Sequence, residues 1–263
     1  MKKIYFLFTL LIASVSYAQS PIITAILDGD CNGGNPKLLE IYADGIVDFS
    51  LYSLENQTNA NTTWGSTQDL STLGTVTNDF VYITTSGSAA ALVTEFPSLG
   101  SATVLVSGTI NLNGDDRIRI IETSSSTVID QYGADATDGS GESWEYADSY
   151  AKRLDGTGPD AGFTEANWSI PGAGTLNTLG VCQGGTDTFE TLIGGIGTYT
   201  TTASSTPTVA ISGSTGSMDY FEGNGPSNEE SFSVSGINLT QGVTVTAPVN
   251  FEISTTSGAS FTT

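Results

Sequence analysis

Pro36-Lys-Leu-Leu-Glu-Ile-Tyr-Ala-Asp-Gly-Ile-Val-Asp-Phe-Ser-Leu-Tyr-Ser-Leu-Glu-Asn56 carries two apolar sets separated by a turn. Leu39, Ile41 and the alternation around them predict a half-buried strand with one apolar and one polar face. Asp44-Gly45 predicts the turn. Val47, Phe49, Leu51 and Leu54 then supply a second strand, and the two read as the first paired strands of a sheet. Of the acids among them, Glu40, Asp44 and Asp48, the first and last read as framework residues rather than active ones, because no histidine or matching catalytic partner accompanies them.

Working outward, similar short runs recur with turn residues between them. Residues 22–27 predict a strand that enters the loop 28–34, and residues 63–70 and 79–84 predict two more. Residues 89–96 form the one plausible helix, stopped by Pro97 and Gly100. Residues 103–107 are short and apolar, and residues 117–122 and 128–132 bracket a Ser124–Ser126 turn. Strands at this spacing, in a chain that is only 13% charged and rich in Gly, Ser and Thr, predict an all-β sandwich.

Residues 1–18 read as a removed signal peptide: Lys2 and Lys3 precede an apolar run, and Ser16-Tyr-Ala18 offers small residues for cleavage. The alternative is an uncleaved anchor, but the run is short for a membrane span, and no later stretch approaches a spanning length. Removing the segment takes away two cations and no acid, so the formal charge moves from −21 to −23. That balance opposes direct nucleic-acid binding, which depends on cations that displace counterions from phosphates. The two cysteines, Cys31 and Cys182, predict one disulfide in an exported chain, a staple across the ends of one domain.

The motifs together resemble the lamin-tail domain family. The glutamate-bearing strand, the turn and the run Asp48-Phe-Ser-Leu-Tyr-Ser-Leu54 match its opening signature. Asn113-Gly-Asp-Asp-Arg-Ile-Arg-Ile120 with Val128-Ile-Asp130 matches its hairpin, and residues 138–153 and 156–168 continue the pattern. The resemblance covers roughly residues 21–182 and implies an immunoglobulin-like sandwich used as a binding or spacer module. It further implies a bacterial variant carried at the front of large secreted proteins, extracellular endonucleases and phosphatases among them, with a downstream catalytic domain and a type IX secretion signal. The expected organisation is a lamin-tail-like sandwich at 19–184, a Gly/Ser/Thr-rich linker at 185–206 and an incomplete sandwich repeat at 207–263. The last block resembles flavobacterial surface repeats. Its four expected strands, at 209–211, 231–235, 243–246 and 251–254, leave an edge unpaired and predict a fragment of a longer protein.

The absence of histidine removes Ser-His-Asp and Cys-His catalysis and histidine-ligated zinc from these residues. Paired carboxylates remain at Asp115 and Asp116, and at Glu142 and Glu145 around Trp144. Asp115 reads as an acceptor of backbone N–H groups in the Asn-Gly-Asp turn. Calcium is the candidate cofactor. Asp28, Asp30 and Asn32 with Gly33 reproduce the first half of a calcium loop, although Leu39 stands where its last acidic ligand belongs. Asp135, Asp138 and Glu142 form a second oxygen-rich loop. Trp64, Trp144 and Trp168, with Tyr146 and Tyr150, are candidates for stacking on sugars, although large aromatics of a sandwich are more often core anchors. Lys152 and Arg153 read as partners of nearby carboxylates. The leading expectation is a non-catalytic module that binds an extracellular polymer or protein. The alternatives are the accessory end of a metal-dependent nuclease or phosphatase, and a carbohydrate-binding module.

Overall fold

The computed structural model describes residues 19–202, 208–213, 229–237 and 243–255. The expected signal peptide and residues 221–228 lie outside them. Two compact units divide the chain near Ala203.

The first unit is an all-β sandwich. Its strands in chain order are β1 (Ser20–Cys31), β2 (Asn35–Asp44), β3 (Ile46–Asp48), β4 (Tyr52–Gln57), β5 (Thr67–Asp69), β6 (Thr75–Thr77) and β7 (Phe80–Thr84). Helix α1 (Ala89–Glu95) follows, where the sequence predicts one. Then come β8 (Val104–Val106), β9 (Arg117–Glu122), β10 (Thr127–Tyr132), β11 (Ser149–Arg153), β12 (Trp168–Ser169) and the short helix α2 (Phe189–Leu192). One sheet has the order β12-β11-β1-β2-β7-β8, and the other β10-β9-β4-β5. All pairings are antiparallel except β7 with β8, which α1 connects as a crossover.

The opening stretch is a corner between sheets and not a hairpin. β2 pairs with β1 and β7 in the larger sheet, whereas β4 pairs with β5 and β9 in the smaller. Between them β3 pairs with β6, and a 3-10 turn over Phe49–Leu51 shifts the side-chain phase. Val47, Phe49 and Leu54 are therefore buried while Leu51 is 54% exposed. β2 has no free edge for β4, because β1 already occupies it through the turn at residues 32–34.

Strand alternation places Leu39, Ile41, Val81 and Ile83 on the inner face of the larger sheet, against Leu54, Ile118 and Ile120 of the smaller. Leu38 and Tyr82 point the other way, into a second core with Leu92, Phe96, Phe189 and Ile193. The larger sheet is thus covered on both faces, which explains why β1 is buried along nearly its whole length.

The disulfide Cys31–Cys182 is present, with 5.7 Å between Cα atoms. The packed unit extends past it. Phe189, Ile193 and Tyr199 are buried, and the Gly156 N–H donates to the Thr200 carbonyl at 2.9 Å. The expected linker is therefore, over 189–200, a strap across the outer face of the larger sheet. Its apolar residues are too few for a strong sequence signal, but Phe189 and Ile193 land in the second core and Tyr199 packs edge-on against Tyr42.

In the second unit β13 (Thr208–Ser212) and β14 (Ser233–Ile237) pair antiparallel, with Ile211 opposite Val234. Two of the four expected strands are found. Residues 243–246 form no strand ladder, and Ile253 makes only an isolated bridge.

Candidate functional site

Both expected calcium loops hold internal partners. Asp28, near the end of β1, faces Lys37 of β2 in a buried ion pair and also accepts the Asp148 backbone N–H. Burial pushes its carboxyl up to about 6, against the attraction of Lys37. Asp30 accepts the Thr178 N–H at 2.9 Å, and Asn32 lies exposed in the β1–β2 turn. The loop is a hairpin turn in which an ammonium stands beside the first acid.

In the second loop Asp135 accepts from Gln131 at 2.9 Å, Asp138 accepts from the Ser140 N–H, and Glu142 is exposed. Arg117 lies buried beside this group and donates to the carbonyls of Gln57, Asn59, Asn61 and Ala134. Among the described residues, the one trio of acidic or thiol groups whose ligand atoms converge within 4.8 Å is Cys31, Glu95 and Cys182, and its sulfurs are bonded to each other.

The Asn-Gly-Asp turn works differently from the expectation. Asp116, not Asp115, accepts a backbone N–H, from Asn59 at 2.8 Å. Asp115 accepts from the Ser140 hydroxyl at 3.1 Å. Gly114 is required at φ +90°, because a Cβ there would meet the Ala147 backbone at 2.1 Å.

Two of the three tryptophans are core anchors. Trp144 and Trp168 surround the fully buried Tyr132, with ring centroids 6.2 and 4.8 Å away, and Tyr146 completes the cluster at 5.4 Å. Trp64 is half-buried on the smaller sheet, its ring covered by the Arg119 guanidinium at 3.9 Å, and Arg119 is forked onto Glu55.

Lys152 and Arg153, adjacent on β11, point to opposite faces. Arg153 forms a fully buried pair with Asp130 at 2.6 Å and donates to the Ile23 carbonyl. Asp130 also accepts the N–H groups of Ile23 and Asp160, so this pair ties β10 to the larger sheet. Lys152 is half-buried and donates to the carbonyls of Ile193 and Gly195 and to Thr198 Oγ1.

Opposite Lys152 lies Glu40, 1% exposed. One carboxylate oxygen accepts from Thr24 Oγ1 at 2.7 Å and the other from the Gly197 N–H at 2.6 Å. Burial holds Glu40 above the usual carboxylate range, while the Gly197 and Thr24 bonds oppose that shift. Burial pulls Lys152 down, against the attraction of Glu40 and Asp155. Gly197, at φ +63°, lets the strap approach the Tyr82 hydroxyl, which a Cβ would meet at 3.2 Å.

Beside this pair the strap leaves open a cleft of about 340 Å³ between Tyr150, Ser169 and Asp155 on one side and Ile193, Thr198 and Tyr199 on the other. By sequence Glu40 reads as a framework residue and Lys152 as one member of a cationic pair. Their juxtaposition depends on the strap, 157 residues along the chain from Glu40 at Gly197. The available signal was that Glu40 shares its face of the strand with Leu38 and Tyr42, so that face is not simply polar.

No protein-family model matches the chain, and neither a curated protein nor a solved structure matches it. Among the described residues no helix is long and apolar enough to cross a membrane.

Proposed function

We propose that the chain is a non-catalytic binding and spacer module of lamin-tail type, carried by a larger secreted or cell-surface protein. The observation that carries this reading is the use of the buried charges. Asp28 and Asp130 face Lys37 and Arg153. Glu95 accepts the backbone N–H groups of Cys182 and Phe189, and Glu40 holds the strap. Each of these groups is committed to the scaffold, so their electrostatics go to rigidity. The four sequence motifs support the lamin-tail assignment, and the leader at 1–18 supports export. Any nuclease or phosphatase activity belongs on this reading to other parts of a longer protein.

The test is an assay of the secreted chain against phosphodiester, phosphomonoester and glycoside substrates, with and without magnesium, calcium and zinc. No turnover is expected. Hydrolysis that disappears in the Asp115→Asn or Asp116→Asn variant would overturn the reading.

A further inference from the structure

We propose that the cleft between the strap and β11–β12 binds one neutral sugar unit of an extracellular polysaccharide. The inference rests on the binding-module reading and gives it a ligand class and a place.

The chemistry of the lining selects the ligand. Lys152 directs its three donors into the strap, and Arg153 is held by Asp130, so neither cation is free to receive an anion. What the cleft leaves available is different. Among the described residues the Tyr150 hydroxyl and Ser169 Oγ make no hydrogen bond, and Asp155 uses one carboxylate oxygen, on the Thr200 N–H at 2.8 Å. Two hydroxyls that donate or accept and a carboxylate oxygen that accepts match a ligand with several vicinal hydroxyls. The side of the Tyr150 ring and the 43% exposed Leu154 supply an apolar surface for the C–H face of a pyranose.

Size and rigidity agree. The volume is at the small end of ligand pockets, enough for one sugar ring. The floor is preorganised, because Lys152 holds Ile193, Gly195 and Thr198 of the strap and Glu40 holds Gly197 among them. A single ring bound in so open a site predicts a dissociation constant of about 1 mM, raised in avidity by repeated units on a polymer.

The experiment combines sedimentation with insoluble neutral polysaccharides (cellulose, xylan, mannan and a β-glucan) and ligand-observed NMR with their monosaccharides. Three variants are compared with the wild type. Tyr150→Ala removes the platform and should weaken binding at least about 10-fold. Ser169→Ala should weaken it about 3-fold, and Asp155→Asn, which keeps the acceptor for Thr200, about 10-fold. Circular dichroism and melting confirm that each variant is folded. Retention of the wild type with loss in the variants supports the proposal. Binding undiminished in all three folded variants overturns the location. No binding to any of the glycans overturns the ligand class while leaving the module reading intact. Binding only of an amino sugar, abolished by N-acetylation, overturns neutrality. Release of reducing ends would instead sink the non-catalytic reading.

Discussion

Asp130 gives up all its water on folding and takes in exchange Arg153 and the N–H groups of Ile23 and Asp160. Desolvation outweighs these partners, and its carboxyl rises to about 6, as does that of Asp28 beside Lys37. A folded-state value above the unfolded one means that the proton favours the fold. The stability these groups contribute is complete below the unfolded carboxylate value and is lost as pH rises through about 6. The thermal midpoint should therefore rise, by about 3 °C, from about pH 7.5 to about pH 5. The Asp28→Asn variant should show a flatter profile, which separates this effect from relief of general negative charge. A midpoint that falls over that window would contradict the assignment. Asp48, Asp69 and Asp160, whose values lie below the usual range, lose their hydrogen-bond advantage only at lower pH. Removing a partner is a harsher change. Arg153→Met leaves the Asp130 charge buried alone and should cost about 3–5 kcal/mol in urea unfolding. Because Lys37 already stands beside Asp28, calcium at about 5 mM should leave the melting midpoint within about 1 °C of that in chelator.

At the scale of elements, the strap is the part least visible in the sequence. Residues 185–206 have the composition of a linker, and among its described residues only Phe189, Ile193 and Tyr199 are both large and buried. Phe189 seals the second core against α1 and touches Glu95 through its own N–H. Phe189→Ala should cost about 3–5 kcal/mol and expose the outer face of the larger sheet. If denaturant unfolding showed less than about 1 kcal/mol lost, the strap would be ornamental rather than structural. The strands were far more legible. β7, α1, β9 and β10 fall where alternation and Pro97 place them, because each carries enough apolar residues at one period to bury a face. The corner at 45–51 was not legible as such. Local alternation reports which residues are apolar, but which strand becomes the neighbour of β2 is settled by competition for its edge.

For the molecule as a whole, Cys31 and Cys182 close a loop of 151 residues around the sandwich. In the chain-entropy description such a bridge stabilises by roughly 5 kcal/mol as an upper value. Reduction should therefore lower the urea midpoint strongly while leaving β13 and β14, in the second unit, unaffected. Identical transitions with and without reductant would show that the bridge contributes little. The candidate site belongs to this scale too. By sequence Trp144 and Trp168 read first as core anchors with glycan stacking as the alternative, and the cluster around Tyr132 places them inside.

Strand periods, helix α1, the acidic charge and the single cysteine pair can be read from the residues alone. These depend on composition and near neighbours, where a residue's chemistry decides its preference. The opening stretch showed that β2 exists and carries a glutamate. Long-range packing sets the rest: both faces of its sheet are covered, Glu40 is buried under the strap, and Asp116 rather than Asp115 takes the backbone N–H of Asn59. Those outcomes depend on which distant segment arrives to exclude water, and Gly197 reaches Glu40 from a part of the chain whose composition gave no sign that it would fold there.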